Sequence, residues 1–390
     1  MNYMNHFKKL SLLLVVMGLL FSIGSPVALS QDPDSTTKKV FLPIVQSSEE
    51  LLSPEEVVFR EVSESEQLAA EEFWTREELL SAEALPMPLL DGLTAADADE
   101  AAPAGPMEMV PSGLPDPELD ELAKTLYSED WADPDYLDIA DDDYEIGPLG
   151  YSYPPPFTRY YVNNRSEMWK EYPWKTMGRL FFNIPGLTSR YSCSASVAVG
   201  RAVWTAGHCV YTKDRGWHTN MVFAPAYRNG DRPYGTFTVF HMATLWGWKN
   251  NAYNAYDIAM VAVGDRNGKE VSQWVGWLGA MWYASSEQHF HAFGYPRNLD
   301  NNYRYLIACA ASKSRQDSQP GPDPIGIGCD MQHGSSGGPW LVKYDPYRAG
   351  DRNYVNGVVS YGYVNARPKE FFSPYFGDGA KNLYDWGKGK

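Results

Sequence analysis

Three short patterns in the chain contain the residue types that acyl transfer needs. In chain order they are Trp-Thr-Ala-Gly-His-Cys at 204–209, Tyr-Asp-Ile-Ala-Met-Val at 256–261 and Gly-Ser-Ser-Gly-Gly-Pro at 334–339. A serine hydroxyl is a weak nucleophile, and a histidine whose pKa lies near neutrality can take its proton as it attacks. A buried carboxylate that accepts the other imidazole N–H holds the ring in one tautomer. We therefore interpret Ser336 as the nucleophile, His208 as the general base and Asp257 as the acid that orients it.

Glycine residues flank the candidate nucleophile. Gly334 and Gly337 permit a tight turn at Ser336, and backbone N–H groups in such a turn can stabilise the oxyanion of a tetrahedral intermediate. Each pattern alone has another interpretation: a flexible loop for Ser336, a structural histidine for His208 and a turn residue for Asp257. Their occurrence in one chain, in the order His, Asp, Ser, favours the catalytic interpretation.

The elements that must position these residues are short strands. After about Tyr172, short apolar or alternating runs recur, separated by Gly, Pro, Asn and Asp. This spacing is typical of an all-β sandwich or barrel. We expect one catalytic domain at 151–390, built as two small barrels with a link near 264–285. A helical pattern is visible only at 381–386.

Charge divides the chain into two different parts. Residues 31–150 hold 32 Asp and Glu against 5 Lys and Arg, a net charge of -27, whereas residues 151–390 hold 17 acids and 26 bases, a net charge of +9. We interpret 31–150 as an acidic, partly disordered prosegment, because beyond Leu90 it offers little apolar surface to bury. Within it, capping patterns at Ser53 and Thr75 predict two helix starts.

The first 30 residues have the features of a secretory signal peptide. Two lysines precede an apolar run at 10–23 that is too short to predict a membrane span. Ala28 and Ser30 are small residues at the spacing that a signal peptidase recognises, which predicts cleavage before Gln31. A retained membrane anchor is the alternative. We expect a secreted, extracellular protein without a membrane partner after cleavage.

Four cysteines in an exported chain predict two disulfides. They are Cys193, Cys209, Cys309 and Cys329. Three connectivities are open, and the local one joins Cys193 to Cys209 and Cys309 to Cys329. A zinc site is the competing interpretation, but the chain has no C-x-x-C pattern and the expected compartment is oxidising. We expect no metal and no cofactor.

Taken together, the three patterns resemble those of the chymotrypsin- and trypsin-like serine peptidases, which carry T-A-x-H-C, D-I-A and G-D-S-G-G-P in the same order. Residues 329–340 further resemble the secreted bacterial branch related to the glutamyl endopeptidases. The resemblance covers about residues 172–378. It implies two antiparallel six-stranded β-barrels with the active site in the cleft between them. It also implies a disulfide between Cys193 and Cys209.

The resemblance assigns further roles at matching positions. It implies that the N–H groups of Gly334 and Ser336 form the oxyanion hole. It also implies that Ser360, Tyr361 and Gly362 lie on a strand that pairs with the backbone of the substrate.

Three positions depart from the pattern of the resembling proteins. Ser335 stands where trypsin-like zymogens have an aspartate that pairs with a newly cut N-terminus. Asp330 stands where trypsin-like enzymes place the acid that selects Arg or Lys, but the neighbouring cysteine pattern differs. Asp330 is therefore either the base of the specificity pocket or a turn residue beside a disulfide. Val359 replaces the histidine of the glutamyl endopeptidases, which argues against strict specificity for glutamate.

These patterns predict a secreted serine endopeptidase that acts as a monomer on protein or peptide substrates and has no nucleic-acid partner. A non-catalytic binding protein on the same fold is the alternative, and the complete set of three residues argues against it. The opposite charges of the two parts predict that the prosegment masks the cleft or assists folding. It would then be cut between about residues 145 and 171. A spacer that only keeps the chain in solution is the competing interpretation.

Overall fold

The computed structural model describes residues 52–91, 105–126, 155–162, 168–299, 305–364 and 369–390. The predicted signal peptide lies outside the described residues, as does most of the stretch in which we expect the prosegment to be cut. None of the helices within these ranges is long and apolar enough to cross a membrane.

Short strands make up most of the described chain. In chain order they are β1 (Val57–Glu61), β2 (Glu83–Ala84), β3 (Leu89–Leu90), β4 (Glu108–Val110), β5 (Thr158–Tyr161), β6 (Met177–Asn183), β7 (Arg190–Val199), β8 (Ala202–Thr205), β9 (Tyr211–Thr212), β10 (Gly216–Trp217), β11 (Thr219–Pro225), β12 (Phe237–Leu245), β13 (Ala259–Val263), β14 (Gly279–Trp282), β15 (His289–Gly294), β16 (Ile307–Gln316), β17 (Ile325–Gly328), β18 (Pro339–Val342), β19 (Tyr354–Val358), β20 (Tyr361–Tyr363) and β21 (Glu370–Ser373). The helices are α1 (Glu64–Phe73), α2 (Arg76–Ser81), α3 (Pro117–Leu126), α4 (Trp246–Asn251), α5 (Val271–Val275) and α6 (Asp378–Lys388).

The first sheet closes into a barrel of six antiparallel strands. β6, β7, β8, β13, β12 and β11 pair in that order, and β11 pairs back to β6. Every residue of β13 is buried on both faces, because α6 packs against its outer side. This explains why β13 reads as a continuous apolar run and not as an alternating one.

The second sheet follows the order β3-β20-β21-β17-β16-β15-β18-β19-β14-β4, with β5 beside β16. Eight of its eleven strands come from the chain after Val263, and β3, β4 and β5 come from residues upstream of the first barrel. The first of the eight, β14, lies within the stretch predicted as a link. The first barrel ends at Val263 and the second sheet begins at Gly279, with α5 between them. The prediction of an all-β, chymotrypsin-like fold is confirmed.

The two helix starts predicted in the N-terminal segment have different outcomes. The Thr75 hydroxyl accepts the Glu78 N–H at the start of α2, as predicted. The prediction at Ser53 is wrong, because the Ser53 carbonyl accepts the Glu56 N–H in a turn and a strand begins at Val57. The run Val-Val-Phe that follows favours extended backbone, and β1 completes its hydrogen bonds on the edge of β12.

Residues 105–126 are ordered although their composition is acidic and poor in apolar residues. β4 adds to the edge of β14, and α3, in which Ala123 is buried, packs against α5. Gly113 packs on the Trp277 ring so closely that a Cβ at this position would lie 2.0 Å from the ring Cζ2. The expectation that the chain beyond Leu90 cannot order itself is therefore wrong for these residues. They build no core of their own and use the one that the two sheets supply.

Both disulfides of the local connectivity are present. Cys193 and Cys209 are joined at an S–S distance of 1.98 Å, and Cys309 and Cys329 at 2.02 Å. The first ties β7 to the turn that carries His208. The second ties β16 to the loop that precedes the candidate nucleophile.

Candidate active site

The end of β8 carries His208 into the site. The strand stops at Thr205, and a 3₁₀ turn that contains His208 follows. A Cβ at Gly207 would lie 2.7 Å from Trp248 Cδ1 and 2.9 Å from Asp257 Oδ1, so a larger residue here would displace the Trp248 or the Asp257 side chain. β13 pairs with β8 so that Ala259 lies opposite Thr205, and this register brings Asp257 beside His208.

The Asp257 carboxylate is fully buried and accepts three hydrogen bonds. Its Oδ1 accepts the His208 backbone N–H at 2.7 Å. Its Oδ2 lies 2.7 Å from His208 Nδ1 and accepts the Ser360 hydroxyl at 2.5 Å. These donors replace the water that the carboxylate loses on burial. With its proton held on Nδ1, the imidazole presents Nε2 as the basic atom.

Ser336 lies in a turn that only glycine residues on either side allow. Gly334 and Gly337 have φ values of +90° and +80°, in the left-handed region that L side chains rarely adopt. A Cβ at Gly337 would also lie 2.1 Å from Thr205 Oγ1. The Ser336 carbonyl accepts the Ser194 N–H at 2.8 Å, which attaches the turn to β7 of the first barrel.

The two atoms between which a proton would move are both buried. Ser336 is 0% exposed and His208 is 7% exposed. Neither Ser336 Oγ nor His208 Nε2 has a hydrogen-bond partner within the described part of the chain. Catalytic hydrogen bonds are often long before substrate binds and tighten in the complex. The Asp257 carboxylate is therefore fixed by three hydrogen bonds, whereas the two atoms that would exchange the proton have no other partner among the described residues.

Comparison with known proteins agrees with this geometry. The family model described as Trypsin matches residues 167–386, which is more than half of the chain. The chain belongs to the trypsin family. The N-terminal segment before residue 167 lies outside the match.

Individual relatives of this trypsin-family chain match only parts of it. An extracellular metalloprotease of Bacillus subtilis (strain 168) is 30% identical over 108 residues, which are 28% of this chain and 33% of that protein. The chain thus spans about a third of the length of this curated relative. Among solved structures, protease Anisep from Arthrobacter nicotinovorans is 30% identical with a TM-score of 0.49, covering 55% of this chain and 96% of that chain. A thermostable serine protease, AL20, from an extremophilic microorganism is 29% identical with a TM-score of 0.49, covering 55% and 98%.

Ser335 occupies the position of the zymogen aspartate in this trypsin-family site. Its hydroxyl donates to the Gln332 carbonyl at 2.5 Å, and its N–H donates to the same oxygen at 3.0 Å. Ser335 is fully buried. The turn at 332–335 is therefore closed by neutral hydrogen bonds of its own, and Ser335 offers no carboxylate that a new N-terminal ammonium could bind.

The three residues expected on the substrate strand have different environments. The Ser360 side chain supports Asp257, a contact that sequence reasoning missed although the hydroxyl itself was visible in the Val-Ser-Tyr-Gly run. Tyr361 is fully buried, and its hydroxyl donates to Asp317 Oδ2 at 2.6 Å. Burial raises the pKa of Tyr361 well above its ordinary value, so the phenol stays protonated as a donor. Tyr361 and Gly362 pair with β21 on one side, and Gly362 also pairs with Leu89 of β3 on the other.

The Asp330 carboxylate is engaged by the chain itself. It forms an ion pair with Arg159 of β5, and the Asp330 side chain is 14% exposed. Burial raises the pKa of Asp330, while the Arg159 guanidinium acts in the opposite direction. Of the two interpretations that the sequence left open, this arrangement favours a structural residue beside the disulfide.

Two groups of candidate metal ligands occur among the described residues. They are Cys193 with His208 and Cys209, and Cys309 with Cys329 and Asp330. In both groups the cysteines are joined in disulfides. Disulfide sulfurs lack the thiolate charge with which cysteine binds zinc. Neither group fits a metal ion.

Residues 83–90 of the N-terminal segment cross the site. The Gly334 N–H, an expected oxyanion donor, donates to the Leu85 carbonyl at 3.2 Å, and the Gly362 N–H donates to the Pro88 carbonyl at 3.0 Å. Sequence reasoning missed this contact. Its signal was the run Leu-Pro-Met-Pro-Leu-Leu, which is uncharged inside a strongly acidic segment.

Proposed function

We propose that this protein is a secreted serine endopeptidase that hydrolyses peptide bonds through an acyl-enzyme on Ser336. His208 Nε2 takes the Ser336 proton as the hydroxyl attacks and returns it to the leaving amine. Asp257 holds the imidazole through Nδ1 and stabilises the imidazolium. The N–H groups of Gly334 and Ser336 stabilise the oxyanion. The observation that carries the proposal is the fully buried Asp257 carboxylate that binds both N–H groups of His208.

The test of this proposal is the Ser336→Ala variant. We expect kcat to fall on the order of 10⁶-fold with the fold intact, because the residual rate comes from binding and the oxyanion donors alone. A fluorophosphonate probe should label the wild-type protein at Ser336, as located by peptide mapping. Ser285→Ala, which changes an exposed serine, is the matched control and should keep both activity and label. Full activity in Ser336→Ala would contradict the proposal and would mean that Ser336, His208 and Asp257 are not catalytic.

We also propose that residues 31–150 act as a prosegment that keeps a monomeric peptidase latent until it reaches its protein or peptide substrates. The support is that the segment binds an oxyanion donor and the substrate strand at once. N-terminal sequencing of the active secreted form should find a start between about residues 145 and 171, where we expect the segment to be cut. An active form with an intact segment bound in the cleft would contradict masking and leave the spacer interpretation.

A further inference from the structure

One residue of the N-terminal segment touches both walls of the substrate groove, one wall through its backbone and the other through its side chain. Met87 is only 4% exposed. Its N–H donates to His333 Nδ1 at 2.9 Å, on the loop just before the nucleophile. Its Cε lies 3.3 Å from the place where a Cβ on Gly362 would stand, on the substrate strand. Met87 therefore sits between the loop and the strand that enclose the specificity pocket in the predicted site.

The surroundings of Met87 are apolar. It belongs to the same buried cluster as Cys329, Met331 and Val359, each of which is at most 1% exposed. A methionine side chain is long, unbranched and adaptable, so it fits an irregular apolar slot. Val359, which stands where the glutamyl endopeptidases have a histidine, is one of these buried apolar residues.

The acidic side chains on this side of the groove already have arginine partners. Asp330 is paired with Arg159. On the neighbouring strands, the Arg315 guanidinium lies 3.3 Å from Glu370 and 3.7 Å from Asp317, and both acids are fully buried. Asp330 Oδ1 is buried and has no hydrogen-bond partner among the described residues. A lysine or arginine of a substrate would therefore have to share the Asp330 carboxylate with Arg159. Two like charges held together in an apolar slot are unfavourable.

The segment fills the specificity pocket with one residue and binds the oxyanion donor with another, whereas a substrate must do both with one residue. In a productive acyl donor, the residue that fills the specificity pocket also supplies the carbonyl that the oxyanion donors bind. Here the carbonyl that accepts the Gly334 N–H belongs to Leu85, whereas the side chain that reaches Gly362 belongs to Met87. The strand that follows Met87 runs parallel to β20. The pocket and the oxyanion donor are thus filled by different residues, and no single peptide bond is placed for attack.

We infer that Met87 is the internal occupant of the specificity pocket, which makes residues 83–90 a substrate mimic that resists cleavage. The same contact defines the substrate class: the pocket accepts a long, unbranched apolar residue, of the methionine type, before the scissile bond. This inference rests on the proposed peptidase activity and deepens it.

The first test compares Met87→Asp with Met107→Asp in the full secreted chain. Met107 lies in the same segment but is 52% exposed, so it is the matched control. Loss of the buried Met87 side chain should cost about 2 kcal/mol or more of segment binding, which raises fluorophosphonate labelling of Ser336 about 30-fold or more. Met107→Asp should label at the wild-type rate. Met87→Ala should shift the rate in the same direction, and it serves if thermal unfolding shows that the aspartate variant is misfolded.

The outcomes separate the two proposals. Equal labelling of Ser336 in all the variants would overturn the role of Met87 and leave the peptidase assignment standing. Absence of any label at Ser336 in every variant would remove the peptidase assignment and the inference with it.

The second test measures substrate choice directly. The Met87→Asp chain is given peptides that differ only in the residue before the cleavable bond, which is Met, Leu, Lys or Glu. We expect kcat/KM for the Met peptide to exceed that for the Lys and Glu peptides at least about tenfold, which corresponds to ~1.4 kcal/mol. A preference for Lys or Glu would overturn the assignment of the pocket.

Discussion

The two sheets and the N-terminal segment are both ordered in this protein, but their order has different sources. In the first barrel, Leu180 and Val261 are buried among strands that follow one another along the chain. In the segment, Leu79 and Ala123 are buried against those sheets, on helices too short to be stable alone. The acidic composition of a segment therefore predicts whether it can build a hydrophobic core of its own. It does not predict whether the segment can pack against a core that another part of the chain supplies.

Charge follows the same division. The attraction expected between the segment and the catalytic domain is present as individual ion pairs, which differ in burial. Asp120 binds Lys175 at 2.5 Å, and Lys175 is 1% exposed. Glu78 pairs with Arg190, with side chains that are 29% and 32% exposed. Breaking a buried ion pair costs far more stability than breaking a solvated one. Substitutions in the two pairs therefore test which of them attaches the segment.

The largest effect on stability is expected from Asp120→Ala. Lys175 then loses its buried carboxylate, and we expect the free energy of unfolding to fall by about 3 kcal/mol or more. Urea unfolding measures the change. Glu118→Ala removes the same charge from an exposed position of the same helix and should have little effect. Equal, small losses in both variants would mean that the segment rests on the sheets without supporting them.

A second, smaller effect belongs to the first barrel alone. Burial lowers the pKa of His218 to about 3, and its ring stacks on Phe182 with centroids 4.6 Å apart. An unfolded histidine binds a proton near pH 6.5, so stability is fully present above that pH and is lost as the pH falls toward 3. Between pH 7 and pH 4.5 the free energy of unfolding should fall by about 2 kcal/mol from this residue.

The His218→Gln variant isolates that contribution. It has no imidazole to protonate, so its unfolding free energy should fall less than that of the wild type over the same pH interval. Parallel pH profiles for the two proteins would place the acid sensitivity elsewhere, for example in the carboxylates of the segment.

The smallest effect is expected from Arg190→Gln. Its ion pair with Glu78 is partly solvated, so we expect a loss below about 1 kcal/mol that shrinks further as salt is added. Urea unfolding at low and high salt measures it. A loss as large as that of Asp120→Ala would show that surface charge, and not the buried pair, attaches the segment.

Much of the site could be predicted because its signals are local. The runs around His208, Asp257 and Ser336 each carry a residue type that the chemistry requires, and the neighbouring glycines are required by backbone conformation. The fold class followed from strand spacing in the same way. The helix predicted at Ser53 failed because an open edge of β12 offered the following residues a better partner, which no local pattern records.

The sequence by itself determined the all-β class, predicted the three candidate catalytic residues and offered the local disulfide pairing as one of three. Only the tertiary structure decided three long-range contacts: Ser360 on Asp257 across 103 positions, Asp330 on Arg159 across 171, and Met87 on His333 across 246. The reason is physical. A candidate catalytic residue can be recognised from its residue type and its immediate neighbours in the sequence. A supporting contact depends on which strands become neighbours and in what register, and this is decided only when the two sheets pack.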